Sequence, residues 1–234
     1  MSTTRLRLPR RRWLVLSAAT LLACDRRQGE AKASAPLLSE EDLALKHKFR
    51  GLEGGELSVD ALTEKTGVNV FDEKGQVFFA RASFIPPSGN FRGSYSAGFG
   101  VPKTLRVEWR DRYEPVEDGH LKGIPARSFY GGTILGNYTV SVASRIPDAL
   151  LDDLRKNGGG FRLKIRLHDD GPLIGWDVVR PAGIELPPND SEHSRAAHYH
   201  IGGDFREAEI YNGRVVRKGW YIHPKTGQKI ETDF

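Results

Sequence analysis

Hydrophobic and polar residues alternate over much of the chain after residue 51, and this period of two predicts β-strands. The clearest example runs from Phe161 to Leu167, where apolar residues take one face and Arg162, Lys164 and Arg166 take the other. We expect a half-buried antiparallel strand whose polar face is in contact with water. Similar runs lie at 57–59, 68–71, 77–82, 104–110, 138–142 and 175–179.

Only two segments have helical patterns. Ser39 is a candidate N-cap because an acid follows three places later, and the glycine-rich residues 50–56 break the helix. Pro147 suits a first helical turn, and Asn157-Gly158 provides a stop after an apolar stripe. Both helices are short, so strands dominate the predicted structure.

The C-terminus predicts a β-meander. Residues 207–211 and 214–223 flank Asn212-Gly213, the pair preferred in a type I′ hairpin turn. A second turn at 224–227 leads into residues 228–232. Together the patterns predict a mainly β fold, as an antiparallel β-sandwich or two-layer sheet with one or two short helices and a C-terminal β-meander.

Three long segments lack a clear pattern and are predicted to be loops, at 84–102, 111–135 and 181–200. The first is rich in glycine and serine and contains Phe91, Tyr95 and Phe99. Aromatic side chains in such a loop either contact a protein partner or fold back onto the sheet. The pattern leaves both roles open.

The first 23 residues have the layout of an export signal, with a basic start followed by an apolar run at 13–23. That run is shorter than the roughly 20 residues that a spanning helix needs. The stretch Leu21-Leu22-Ala23-Cys24 resembles a bacterial lipobox, in which the cysteine is lipidated and becomes the first mature residue. Because Cys24 is the only cysteine in the chain, we expect it to be the lipid anchor; the alternative is an ordinary signal that happens to contain a cysteine.

Cleavage before Cys24 determines the expected net charge and the expected location of the mature protein. The chain has 35 basic and 30 acidic residues, and five arginines with no acid lie before residue 13. Removing them leaves basic and acidic residues equal in number, so a nucleic-acid partner is not expected. The protein is expected in the cell envelope, facing the periplasm, and Asp25 resembles the inner-membrane retention signal of enteric lipoproteins. Without further cysteines, the exported domain folds without disulfides.

Candidate chemistry is sparse. A serine nucleophile is expected in G-x-S-x-G, but Ser94-Tyr95-Ser96 lacks the first glycine. Asp169-Asp170 follows a strand, and adjacent acids in a turn are expected to point apart. We therefore expect no enzyme activity and no cofactor. The weak metal candidates are His193, His198 and His200, of which the last two would share one face of a strand.

Residues 67–181 carry a family resemblance. Gly67-Val68-Asn69-Val70, the glycine-rich loop, Pro102 before the run 105–109, and Ile146-Pro147 are similar to marks of a group of bacterial lipoproteins associated with type VI secreted phospholipases. Ser94 and Ser96 stand where some members carry cysteines. The resemblance implies an immunity protein that binds its cognate lipase in the periplasm. Gly219-Trp220-Tyr221 also resembles hairpin repeats attached to toxin–immunity systems.

The predicted organisation has four parts: a lipoprotein signal at 1–23, a tether and short helix at 24–50, a β-rich domain at 51–182, and a loop with the meander at 183–234. The expected function is the binding and neutralisation of a secreted toxin, with a phospholipase as the expected partner. Two alternatives stay open. One is an envelope metal-binding protein or hydrolase that uses His193, His198 and His200, and the other is a structural envelope lipoprotein.

Overall fold

Strands make up most of the described chain. The computed structural model describes residues 38–52, 54–86, 89–96, 100–116, 129–180 and 198–234, all of which belong to one unit. The helices are α1 (Glu40–Lys48) and α2 (Asp148–Asn157), with a 3₁₀ turn at Ala143–Arg145. The strands, in chain order, are β1 (Gly54–Ala61), β2 (Lys65–Phe71), β3 (Val77–Phe84), β4 (Phe91–Ser96), β5 (Thr104–Arg110), β6 (Glu114–Val116), β7 (Phe129–Gly131), β8 (Ile134–Ser141), β9 (Gly160–His168), β10 (Gly171–Val179), β11 (His198–Gly203), β12 (Phe205–Arg206), β13 (Glu209–Tyr211), β14 (Arg214–Arg217), β15 (Gly219–Ile222) and β16 (Lys229–Thr232).

Two larger sheets form the layers of the fold. One has the order β11-β10-β9-β1-β4 and the other has the order β3-β2-β5-β8. All pairs are antiparallel except β1 and β9, which run parallel from Glu56 opposite Arg162 to Ala61 opposite Leu167. The predicted fold class is confirmed, with this parallel pair as the addition.

The inner faces of both sheets and the two helices share one hydrophobic core. Strand β9 contributes Phe161, Leu163, Ile165 and Leu167, as its alternation predicts. The other contributions come from β1, β2, β5 and β10 and from α1 and α2, namely Leu57, Val59, Val68, Val70, Leu105, Val107, Ile174, Trp176, Val178, Leu45, Leu150, Leu151 and Leu154. The alternating pattern therefore identified the buried face of the main strands.

The predicted helix ends are confirmed. The Ser39 side chain accepts a hydrogen bond from the Asp42 amide at 3.1 Å, which satisfies one of the free N–H groups of α1. Helix α2 follows Pro147 and ends at Gly158, whose φ of +71° is easily adopted by glycine. Local sequence therefore determines both helices.

The predicted loop at 84–102 is wrong in its middle, because β4 lies there and pairs with β1. Gly93 weakened the strand pattern, yet it has a packing role. The Phe91 ring lies over Gly93, and a Cβ at residue 93 would come within 2.5 Å of it. Strands β6 and β7 similarly occupy parts of the predicted loop at 111–135, whereas residues 181–197 lie outside the described residues.

The predicted solvent-exposed face of β9 is also wrong. Arg162, Lys164 and Arg166 are only 6%, 4% and 4% exposed. They are covered because acids from β1 and β10 and residues after β11 lie over them. The C-terminal segment that was predicted as a loop and meander thus contributes β11 to the main sheet and part of the cover of β9.

The C-terminal strands form two small sheets, a three-stranded sheet of order β12-β15-β16 and a hairpin of β13 and β14. Asn212 and Gly213 have φ values of +49° and +74°, as the predicted type I′ turn requires. Asp204 joins this region to the main sheet, since it accepts hydrogen bonds from Arg145 at 3.0 and 2.5 Å and from the Ile174 amide at 2.9 Å.

Candidate functional site

The aromatic residues predicted to contact a partner pack against the core where the structure describes them. The Phe91 ring lies 4.8 Å from that of Phe79, and the Tyr95 ring lies 5.2 Å from that of Phe78. Burial raises the pKa of Tyr95, so its hydroxyl stays neutral. Of the two roles left open by the sequence, packing is the one seen for these two residues. Phe99 lies outside the described residues.

The side chains of the predicted histidine candidates lie outside the described part of the structure. His193 and Cys24 lie outside the described residues. His198 and His200 belong to β11, in which His198 pairs with Val179 of β10. Asp204, the nearby acid, is already occupied by Arg145.

The polar side of β9 carries a cluster that we call the ionic layer: Arg162, Lys164 and Arg166 with Asp60, Asp177 and Glu207. Arg162 donates two hydrogen bonds to Asp177, at 2.8 and 2.7 Å. Arg166 donates two to Asp60, at 2.9 and 2.6 Å. Such bidentate pairs are the strongest form of side-chain ion pair.

Lys164 lies between these arginines and is paired with Glu207. The Phe205 ring covers Lys164 and Arg166, with its centroid 5.1 Å from the lysine nitrogen and 4.5 Å from the guanidinium carbon. Burial alone raises the pKa of Glu207, but the charges of Lys164 and Arg166 outweigh burial and lower that pKa below its ordinary value. All three basic residues are thus paired, and the layer serves to hold the C-terminal segment on the sheet.

A cavity of about 390 Å³ borders the ionic layer. Its charged lining residues are Asp60, Glu207, Arg92 and Arg166. The volume falls within the roughly 300–1,000 Å³ of small-molecule pockets. Two acids oppose two arginines, however, so the cavity presents no net charge that would select an ion of either sign.

A second group of titratable residues, which we call the histidine cluster, consists of His168, Asp170 and His223. His168 ends β9, Asp170 lies in the turn before β10, and His223 follows β15. Their ligand atoms all lie within 4.8 Å of one another, and the His223 Nε2 is 3.4 Å from the Asp170 Oδ2. The two imidazole rings meet edge to face with centroids 4.9 Å apart.

Backbone amides fix the proton positions of both rings. The Asp170 amide donates to His168 Nδ1 at 3.0 Å, and the Lys225 amide donates to His223 Nδ1 at 3.3 Å. An accepting Nδ1 carries no proton, so each neutral ring has its proton on Nε2. Burial lowers the pKa of His168, and the neighbouring His223 lowers it further. His168 is therefore neutral at pH 7.

Neutral imidazoles and a carboxylate are ligands of divalent transition ions. Zinc bonds of about 2.0–2.1 Å in a tetrahedral site place neighbouring donor atoms about 3.3 Å apart. The observed spacing of 3.4 Å between His223 and Asp170 already fits this value. When an ion binds Nε2, the ring proton must lie on Nδ1. Nδ1 then no longer accepts the hydrogen bond from the backbone amide, and each lost hydrogen bond costs about 0.5–1.5 kcal/mol. Structural zinc contributes about 10 kcal/mol or more in four-ligand sites, so the loss of two such bonds does not prevent binding.

One sequence pattern could have indicated part of this cluster. His168-Asp169-Asp170 places a histidine and an acid two residues apart at the end of the clearest strand. As expected, the adjacent acids point apart, since Asp169 bonds to Lys65 and Thr63 at 2.6 and 2.7 Å. His223 lies more than fifty residues away in the sequence, so only the fold brings it to them.

The hairpin of β13 and β14, which we call the exposed hairpin, presents apolar side chains to water. Ile210, Val215 and Val216 are 62%, 42% and 43% exposed. Ile210 lies directly opposite Val215 in the register. No other described strand pairs with this hairpin, and every residue from Asn212 to Lys218 is exposed.

Charges hold and surround the exposed hairpin. Glu209 accepts hydrogen bonds from Arg206 at 2.5 Å and from Arg217 at 3.1 Å, which joins the base of the hairpin to β12. Arg214 and Lys218 are exposed beside the valines, and Lys218 lies 3.7 Å from Glu231. The hairpin thus combines an apolar centre with a basic rim.

Comparison with protein-family models, curated proteins and solved structures gives no match for this chain. Neither helix in the described ranges is long and apolar enough to cross a membrane.

Proposed function

We propose that this protein is a lipid-anchored, periplasm-facing lipoprotein that binds and neutralises a secreted toxin, with a type VI phospholipase as the expected toxin. The observation that carries the protein-binding role is the exposed hairpin, with Ile210, Val215 and Val216 open to water. The anchor and the class of partner rest on Cys24 in its lipobox and on the family resemblance of residues 67–181.

An exposed two-stranded hairpin favours a binding role for a physical reason. A two-stranded sheet is marginally stable in water, and the apolar surface that it leaves exposed adds to stability only when something covers it. Covering about 25 Å² of apolar surface contributes about 0.6 kcal/mol. A protein partner that packs on Ile210 and Val215 supplies that cover.

The hairpin also indicates the chemistry of its partner. Its edges are open, so an extended segment of a partner can add a strand. Arg214 at the rim favours a partner surface with a carboxylate beside an apolar centre, because complementary rim charges speed association. Phe91 and Tyr95 do not contribute, since they pack against the core.

The test is co-expression of the full chain with the toxin encoded by the neighbouring gene. The proposal predicts a complex that survives purification and protection of cells that export the toxin to the periplasm. If no complex forms and the cells die, the proposal is wrong, and a structural role in the envelope becomes the better explanation.

A matched pair of variants locates the interface. Ile210→Asp places a charge at the centre of the exposed hairpin and is expected to abolish protection. Ile85→Asp makes the same change at an isoleucine that is similarly exposed, at 58%, and is expected to leave protection intact. Equal effects of the two variants would remove the hairpin from the proposed interface.

A further inference from the structure

We propose that His168, Asp170 and His223 form a binding site for a divalent first-row transition ion, with zinc as the best-suited probe. The inference does not depend on the proposed toxin partner. The donor atoms lie within 4.8 Å of one another, so about 1–1.5 Å of movement brings them to tetrahedral spacing. Side-chain rotation supplies that movement.

The site joins two parts of the fold. His168 and Asp170 lie in the main sheet at the turn between β9 and β10, while His223 follows β15 of the three-stranded sheet. An ion held by all three therefore fastens the C-terminal strands to the main sheet. It acts beside the ionic layer and the Arg145–Asp204 pair, which make the same connection.

Lys225 forms an ion pair with Asp170 when no ion is bound. Its ammonium lies 2.5 Å from the Asp170 Oδ1, while the other carboxylate oxygen faces His223. The lysine side chain is 68% exposed and can move into water when an ion arrives. Lys225 is thus a competitor that weakens metal binding without being a ligand.

The site also leaves one coordination position open. Zinc takes four ligands, and three come from the protein. Asp170 and His223 line a cavity of about 330 Å³ together with Tyr138 and Pro224. Water or a small anion can therefore reach the ion from that side.

The test is a chelator-competition titration of the purified full chain with zinc alone. The proposal predicts one ion per chain. His223→Ala is expected to weaken binding at least 100-fold, since loss of an outer-shell contact alone typically costs about 10–100-fold. Lys225→Ala is expected to tighten binding by up to about fivefold, the value of an exposed ion pair.

Controls separate this site from the other histidines. His47→Ala changes an exposed histidine on α1 and is expected to leave zinc affinity unchanged. If His223→Ala does not fold by circular dichroism, Asp170→Asn tests the same site, because it keeps the shape of the turn. Absence of stoichiometric zinc, or loss of zinc only when His193, His198 and His200 are replaced, would overturn the proposal. Retention of zinc by Ile210→Asp is expected and shows that the two proposals stand or fall separately.

Discussion

Strand β9 buries three basic side chains, whereas strand β14 exposes Val215 and Val216 to water. The usual preference of charged and apolar residues is reversed in both places. On β9 the reversal is compensated, because Asp177, Glu207 and Asp60 pair with the basic groups. On the exposed hairpin no further described strand pairs with β13 or β14, and Ile210 stays 62% exposed.

The comparison distinguishes two reasons for breaking the burial rule. A buried charge that is fully paired belongs to the fold, since its partners must be in place before water leaves. The apolar surface that a two-stranded hairpin leaves exposed gains nothing from the fold, so its burial requires another molecule. The ionic layer therefore concerns stability, and the exposed hairpin concerns binding.

The largest expected effect comes from breaking the ionic layer at its most buried pair. Asp177→Ala leaves Arg162 buried without its bidentate partner, and we expect the free energy of unfolding to fall by about 3–5 kcal/mol. Urea denaturation measures the change. Asp152→Ala, which breaks the exposed pair with Arg155, is the matched control and is expected to cost less than about 1 kcal/mol.

Replacing both members of the pair sharpens the result. The double variant Arg162→Met with Asp177→Leu is expected to recover most of the lost stability, because an apolar pair of similar volume needs no charge compensation. Similar small effects for Asp177→Ala and Asp152→Ala would show that water reaches the ionic layer.

A smaller effect is expected from Glu207→Gln, which leaves Lys164 with Asp177 at 3.6 Å as its remaining acid. We expect a loss of about 1–2 kcal/mol at pH 7, the value of a charge-assisted hydrogen bond at a partly exposed carboxylate. The pKa of Glu207 is lower in the folded chain than its ordinary value of 4.5. The contribution of the Glu207 carboxylate to the free energy of unfolding is therefore fully present above about pH 4.5. It is lost as the pH falls through the folded-state pKa of Glu207.

Denaturation curves of the wild type and Glu207→Gln between pH 7 and pH 3 test whether the stabilisation by Glu207 decreases as the pH falls. The difference between the two proteins should narrow as the pH falls. A difference that stays constant over this range would mean that the carboxylate charge of Glu207 does not stabilise the fold.

The smallest expected effect is on the exposed hairpin. Val215→Asp changes a side chain that stays 42% exposed, so the free energy of unfolding should fall by no more than about 1 kcal/mol, the span of strand preferences. The same urea denaturation measures it. A loss of more than about 2 kcal/mol would show that Val215 is packed in the free protein and would remove the contrast with β9.

Some elements could be predicted because their causes are local. Strand β5 has the predicted bounds, since Thr104–Arg110 alternates without interruption. The turn at Asn212-Gly213 follows from two residues that tolerate positive φ. Ser39 caps α1 through a hydrogen bond only three residues away.

Other features depend on distant residues and were missed. The glycine- and serine-rich pattern around Gly93 predicts a loop where β4 lies, although glycine is required there under the Phe91 ring. The parallel pairing of β1 with β9 joins segments about a hundred residues apart. The histidine cluster was missed because His223 reaches His168 only through the packing of β15.

The alternation of residues 161–167 is enough to predict that β9 is a strand with one apolar and one basic face, because alternation is a property of neighbouring residues. It does not predict which environment meets the basic face. The folded chain places Asp60, Asp177 and Glu207 over that face and leaves Ile210 62% exposed. Burial depends on what packs on a surface, and those partners come from segments that the chain brings together only when it folds.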